Sequence, residues 1–167
     1  MLELRKFTPE DAVKILGWTS DEVSFRQWSA DRYGQYPISP EDIVSAYENA
    51  SGSGKFFAYT AYEGDTAVGH MIIRFPGEDN KEARFGFIIV DPERRRQGFG
   101  RQMIELAKKL AAEKDGAERA TLGVFANNEA AYRCYLSAGF REIPDTKEEY
   151  YHIFDDDWLC IEMECEL

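Results

Sequence analysis

The stretch VDPERRRQGFGRQM, Val90 to Met103, constrains this chain more than any other. It follows the apolar run ARFGFIIV and leads into GRQMIELAKKLAAEKDG. An apolar run that turns β-branched towards its end reads as a central strand, expected to be buried on both faces. The segment after it carries a helical apolar stripe through Met103, Leu106, Ala107, Leu110 and Ala111, and Gly116 is placed to stop it. A strand, a glycine-rich turn and a helix in this order suit phosphate. The first N–H groups of a helix lack intrahelical partners, and the helix dipole adds partial positive charge. Gly98 and Gly100 remove side chains where a ligand must touch the main chain. Arg94, Arg95, Arg96 and Arg101 supply charge around them.

Three kinds of phosphate ligand compete for such a turn. A nucleoside triphosphate loop needs GxxxxGK[ST], which has no match in the chain. A dinucleotide fingerprint needs a third glycine where Met103 stands. What remains is the pattern R/Q-x-x-G-x-G, written here Arg95-Arg96-Gln97-Gly98-Phe99-Gly100.

The flanking sequence predicts a mixed α/β chain. LELRKF alternates and reads as a first strand. TPED (Thr8 to Asp11) and SPED (Ser39 to Asp42) each offer a hydroxyl N-cap, proline at the first helical position and acids in the first turn, so two N-terminal helices are expected. FFAYTAY and TAVGHMIIRF flank the turn EGD as a hairpin. RATLGVFA reads as a further strand and NNEAAYRCYLSAGF as a short helix ending at Gly139. EEYYHIF and WLCIEMECEL are expected as terminal strands around the turn DDD, Asp155 to Asp157. Crossover helices call for some parallel pairing and hairpins for antiparallel pairing. The expectation is one domain over residues 1–167, α/β or α+β, with a single mixed, mostly antiparallel sheet of about seven strands and about four helices.

Asn128, Ala131 and Tyr135 fall at i, i+3 and i+7, on one helical face spanning about 10 Å. Ala131 leaves room between two polar groups. Read without a ligand, Asn128 is a helix cap and Tyr135 an amphipathic core residue.

IIVDPERRRQGFGRQMI and, further on, NNEAAYRCYLSAGF together resemble the GNAT superfamily of N-acetyltransferases. The first is similar to that superfamily's acetyl-CoA motif, the second to its N-x-x-A-x-x-x-Y-x-x-x-G-F helix. The element order is similar along almost the whole chain. The resemblance implies that Arg95, Arg96, Gln97, Gly98, Phe99, Gly100 and Arg101 hold the pyrophosphate of acetyl-CoA, mostly through their main chain. It implies that Ile88, Ile89 and Val90 line the pantetheine arm, which pairs like an added strand, and that Asn128 hydrogen-bonds it. It assigns Tyr135 as the general acid that protonates the departing thiolate; a phenol is protonated at neutral pH and can donate. Members are often dimers, so a homodimer is an expectation of the resemblance alone.

The acceptor amine must be neutral to attack, which calls for a base. Members that acetylate protein N-termini carry a glutamate five residues before the asparagine, where this chain has Gly123. Others place a carboxylate at the start of the acetyl-CoA strand, where Glu82 is the candidate. His70 is a further candidate, with a structural role the more ordinary reading of a lone strand histidine, and a water chain is the remaining option.

GWTSDEVSFRQWSADRYGQYP, between the two N-terminal helices, holds Trp18, Phe25, Trp28, Tyr33 and Tyr36 among acids and two arginines. Aromatic faces and carboxylates attract an ammonium, so the acceptor is expected to be a small-molecule amine or a peptide amino group. Alternatively these aromatics only staple the helices to the sheet. The formal net charge of −11 argues against nucleic acid, the short ERRR run notwithstanding. Cys134, Cys160 and Cys165 form no metal or disulfide pattern, and no metal is expected. With no apolar run long enough to span a membrane and a charged N-terminus, the expected location is the cytoplasm. The functional expectation is direct acetyl transfer from acetyl-CoA to a primary amine. The alternatives are an acyl-CoA-binding module without turnover and a protein N-terminal acetyltransferase.

Overall fold

The computed structural model describes all residues, 1–167. The elements run β1 (Leu2–Lys6), α1 (Pro9–Trp18), α2 (Glu22–Ser29), α3 (Pro40–Ser51), β2 (Phe56–Glu63), β3 (Thr66–Arg74), β4 (Glu82–Val90), α4 (Phe99–Asp115), β5 (Arg119–Phe125), α5 (Glu129–Ser137), β6 (Arg141–Glu142), β7 (Glu149–Ile153) and β8 (Asp156–Glu166). The predicted N-caps hold. The Thr8 N–H donates to Asp11 Oδ2 at 3.0 Å and the Ser39 N–H to Asp42 Oδ2 at 2.8 Å, so each helix closes its first turn on itself.

All eight strands form one sheet in the order β1-β2-β3-β4-β5-β8-β6, with β7 also on β8. Only β4 and β5 run parallel. The expected mixed, mostly antiparallel sheet is therefore present, with one strand and one helix more than the sequence announced. The extra helix, α2, starts on Asp21, whose carboxylate accepts the Ser24 N–H at 2.8 Å. The extra strand, β6, is two residues long and carries no periodicity to read.

Two further expectations need correction. The last turn is Phe154–Asp155, and Asp156 and Asp157 already belong to β8. β4 is not buried on both faces. Ala83, Phe85 and Ile89 are buried, while Arg84, Gly86, Phe87, Ile88 and Val90 are only half-buried.

Helices cover both faces of the sheet. On one, α4 and α5 enclose the larger core, with Met103, Ile104, Ala107 and Ala111 against Val68, Phe85, Leu122 and Met163. On the other, α1, α2 and α3 enclose Ile15, Phe25, Trp28 and Ile43 with Ile72 and Ile89.

Candidate functional site

The parallel pair opens like a V. β4 and β5 are hydrogen-bonded only at their starts, Glu82–Arg84 against Arg119–Thr121. Beyond that, β4 pairs with β3 alone and β5 with β8 alone. The facing edges of Phe85–Val90 and Leu122–Phe125 therefore carry main-chain groups without strand partners, a place where an extended ligand can add as a strand. A bulge sets the opening. Register between β3 and β4 shifts between His70 and Ile72, and Phe87 takes a left-handed φ of 47°. Its carbonyl accepts the Trp28 indole N–H at 3.0 Å, which ties α2 to the bulge. The bulge also switches which side chains face which helices. Ala83 and Phe85 point to the α4 side, but after it Ile88 and Val90 do, while Ile89 joins the α1–α3 side.

The arginine-glycine turn lies at the open end of β4. A single 3-10 turn, Pro92–Arg94, is capped by the Asp91 carboxylate, and Arg96 and Gly98 then take left-handed φ values of 60° and 82°. No carbonyl or side chain of the protein accepts from the main-chain N–H groups of Arg96, Gln97, Gly98, Phe99, Gly100 or Arg101. Six adjacent unpaired donors at a helix N-terminus form a concavity for an anion. Arg94 is tied to Glu63 and lies over the Phe99 ring, whereas Arg95, Arg96 and Arg101 meet no carboxylate. The Phe99 side chain is buried in the larger core, so only its main chain is available to a ligand. The two glycines have different reasons. Gly98 needs its positive φ. A Cβ on Gly100 would sit 3.1 Å from Cys134 Sγ and 3.6 Å from Val90 Cγ2, so this glycine also seats α4 against α5.

Asn128 caps α5, its Oδ1 accepting the Ala131 N–H at 3.4 Å. Tyr135 is 6% exposed, its ring 6.3 Å from that of Phe140 in the larger core. Burial, with a smaller contribution from Cys134, raises the phenol's pKa well above its usual value, so the group keeps its proton. Both plain readings of this helix are thus visible in the structure. The same side chains stand on the helix that follows the free edge of β5.

The base candidates separate cleanly. Glu82 is not brought to the opening of the V. Its carboxylate is held by Thr121 at 2.7 Å and Arg119 at 3.0 Å at the closed end. Burial pushes its pKa up, but these two hydrogen bonds and the Arg119 charge outweigh it and leave it below the usual value. His70 is wholly buried, stacked on Tyr47, with Nε2 2.8 Å from the Tyr47 hydroxyl. Burial lowers its pKa to about 3, against a smaller opposing pull from Asp11. It is a neutral structural imidazole. An unfolded chain protonates this imidazole near pH 6.5 and the folded one only near 3, so the unfolded state binds more protons between those values. Stability is therefore expected to fall as the pH falls through that window. Thermal midpoints measured from pH 7 to pH 4 should fall less steeply for His70→Gln than for the parent; parallel curves would remove His70 as the cause.

A cavity of about 300 Å3 lies beside the V on the α2 side. Trp28, Phe87, Phe125 and Tyr151 wall it, and Arg32, Arg74 and Arg84 bring charge to it. The sequence pointed to only part of this. Of the five linker aromatics, Trp28 alone lines the cavity; Phe25 and Tyr33 pack against Trp28 instead, and Trp18 is buried with α1. Phe125 and Tyr151 were missed because they arrive from opposite ends of the β5-to-β8 connection. Arg74 and Arg84 were missed because each reads as the polar end of a strand; a hairpin register drawn between β3 and β4 would have placed them opposite one another. Gly123 sits beneath the Arg84–Glu162 ion pair. A Cβ there would meet Arg84 Nη2 and Glu162 Oε1 at 3.1 Å and Cys160 Sγ at 3.0 Å. No helix is long and apolar enough to cross a membrane.

Comparison with solved structures gives the same architecture. A spermidine N-acetyltransferase from Vibrio cholerae, solved in complex with CoA and spermine, aligns at a TM-score of 0.81 and 20% identity over 99% of this chain and 95% of that one. A putative phosphinothricin N-acetyltransferase aligns at 0.75 and 19% identity over 100% and 99%. At such identities the likeness is one of fold. Comparison of the sequence with curated proteins gives no match. The model of the acetyltransferase (GNAT) family matches residues 22–140, which takes in α2, the β4 bulge, the glycine-arginine turn and the whole of α5. The chain is therefore an acyltransferase whose donor is acetyl-CoA, and it belongs to the GNAT acetyltransferase family.

Proposed function

We propose that this enzyme is an N-acetyltransferase that moves the acetyl group of acetyl-CoA directly to the primary amine of a small molecule. The observation that carries the reading is the row of six unpaired N–H groups, Arg96 to Arg101, next to an unpaired strand edge. The turn suits the diphosphate, with Arg95, Arg96 and Arg101 adding charge. The free edge of β4, at Ile88, Ile89 and Val90, suits the amides of the pantetheine arm, with Asn128 across the V. Bound acetyl-CoA supplies the electrophile, a thioester whose carbonyl carbon takes the amine nitrogen as its C–S bond breaks.

The chain's own residues then position and move protons. Tyr135 donates its phenolic proton to the leaving sulfur and is reprotonated from solvent. The amine's surplus proton leaves to water, since Glu82 is held away by Thr121 and Arg119 and His70 is sealed in the core. The space above Gly123 is filled by Arg84 and Glu162, which leaves no room for a glutamate on β5 and disfavours a protein N-terminal acetyltransferase. Incubation with acetyl-CoA and a panel of small amines and short peptides, read as free thiol released, should show turnover with a small amine. Tight CoA binding with no thiol release from any amine would instead identify a binding module.

A further inference from the structure

The charge of the cavity beside the V is opposite to that of the chain. The protein has 31 acids against 20 lysines and arginines, yet no aspartate or glutamate lines this cavity and three arginines do. Arg74 and Arg84 are direct partners across the β3–β4 pair, on the same face. Like charges directly opposite one another on a sheet face are destabilising. Glu162 offsets one of them. It takes both arms of the Arg84 guanidinium, one at 2.9 Å, by reaching across Gly123 from β8. The guanidinium groups of Arg74, exposed at the end of β3, and of Arg32, exposed at the open rim, have no carboxylate or hydrogen-bond partner within the protein. Desolvation, then repulsion from Arg84 and Arg32, lowers the Arg74 pKa against weaker pulls from Glu82 and Glu162. It remains a cation at neutral pH, and two positive charges face the cavity uncompensated. Such a wall repels a polyamine and attracts an oxyanion.

On the reading of this chain as an N-acetyltransferase, we propose that its acceptor is a zwitterion, an amine that also carries a carboxylate or phosphinate, with the oxyanion held by Arg74 and Arg32. Trp28, Phe87 and Phe125 enclose the body of that molecule, and its amine reaches through the opening of the V. Arg84, already paired with Glu162, holds the floor. Arg74 is thus a specificity-determining residue.

Binding and turnover are to be measured separately, with CoA present for binding and acetyl-CoA for turnover. The probes are methionine against methionine amide, which differ in the carboxylate charge, with phosphinothricin for the phosphinate and spermine for the polycation. The expected result is that methionine or phosphinothricin binds at least roughly tenfold more tightly than methionine amide and spermine. Arg74→Gln should lose that advantage, raising KM about tenfold with a smaller change in kcat, and Arg74→Lys should recover part of it. Preference for spermine, equal binding of methionine and its amide together with no binding of phosphinothricin, or anion binding indifferent to Arg74→Gln overturns the proposal. Anion binding that depends on Arg74 without thiol release from any probe keeps the anion site and removes the acetyl-transfer reading.

Discussion

Replacing Gly100 by glutamate is expected to abolish acetyl-CoA binding, with a loss of affinity of roughly a hundredfold or more. The substitution sets a carboxylate among N–H groups that have no other partner, Arg96 to Arg101, where it both occupies donors and repels a diphosphate. Packing adds to the loss, since the new Cβ would meet Cys134 Sγ at 3.1 Å. Gly100→Ala separates the two causes. It brings the same Cβ without charge, so it should cost some stability and leave most of the affinity. Titration calorimetry with CoA reads the affinity, and circular dichroism with a thermal scan confirms that each variant is folded. A folded Gly100→Glu enzyme that binds CoA like the parent would show that the diphosphate does not lie on this turn. Arg94 makes a useful contrast. Tied to Glu63 and placed over Phe99, it is expected to matter for the shape of the turn more than for the charge it presents.

The parts of this site that were legible in the sequence are those whose cause is local. A glycine at a left-handed position, an arginine run and a helix start lie within a few residues of one another. The same holds for the two capping boxes, whose Thr8–Asp11 and Ser39–Asp42 partners are three residues apart. α2 went unread because its cap, Asp21, stands in a linker dominated by aromatics whose fate depends on tertiary packing. The bulge at Phe87 has no local signature. It exists because β3 and β4 slip in register opposite Met71 and because an indole 59 residues earlier in the chain binds the Phe87 carbonyl. The cationic cavity is more distant still from local pattern. Arg74 and Arg84 are ordinary strand residues until the hairpin aligns them, and Glu162 reaches Arg84 only because β8 pairs with β5 at Gly123. The turn proposed to hold the donor is one contiguous segment, whereas the cavity proposed for the acceptor is assembled from α2, β2, β3, β4, β5, β7 and β8. Local chemistry therefore announced the first, but of the second only Trp28, and it suggested carboxylates where the cavity carries arginines.

Tyr135→Phe is expected to lower kcat by roughly a hundred- to a thousandfold while leaving the affinity for CoA within about threefold. The phenol's burial in the core makes this a sharp test. Phenylalanine fills the same volume beside Phe140, so no cavity opens. The hydroxyl donates to no group in the protein, so its removal strands no buried partner, and the thermal midpoint should hold or rise slightly. A purely structural tyrosine would leave turnover intact, with the thermal midpoint likewise unchanged. The pH profile adds a second readout. Burial keeps the phenol protonated well past its usual range, so the parent's turnover should show no falling limb from tyrosine ionisation at pH 8 to 10. The rising limb should follow the ionisation of the acceptor amine, because Glu82 is held by Thr121 and Arg119 and His70 is sealed in the core. If Tyr135→Phe turns over like the parent, the thiolate leaves without this phenol, and protonation from water would have to suffice.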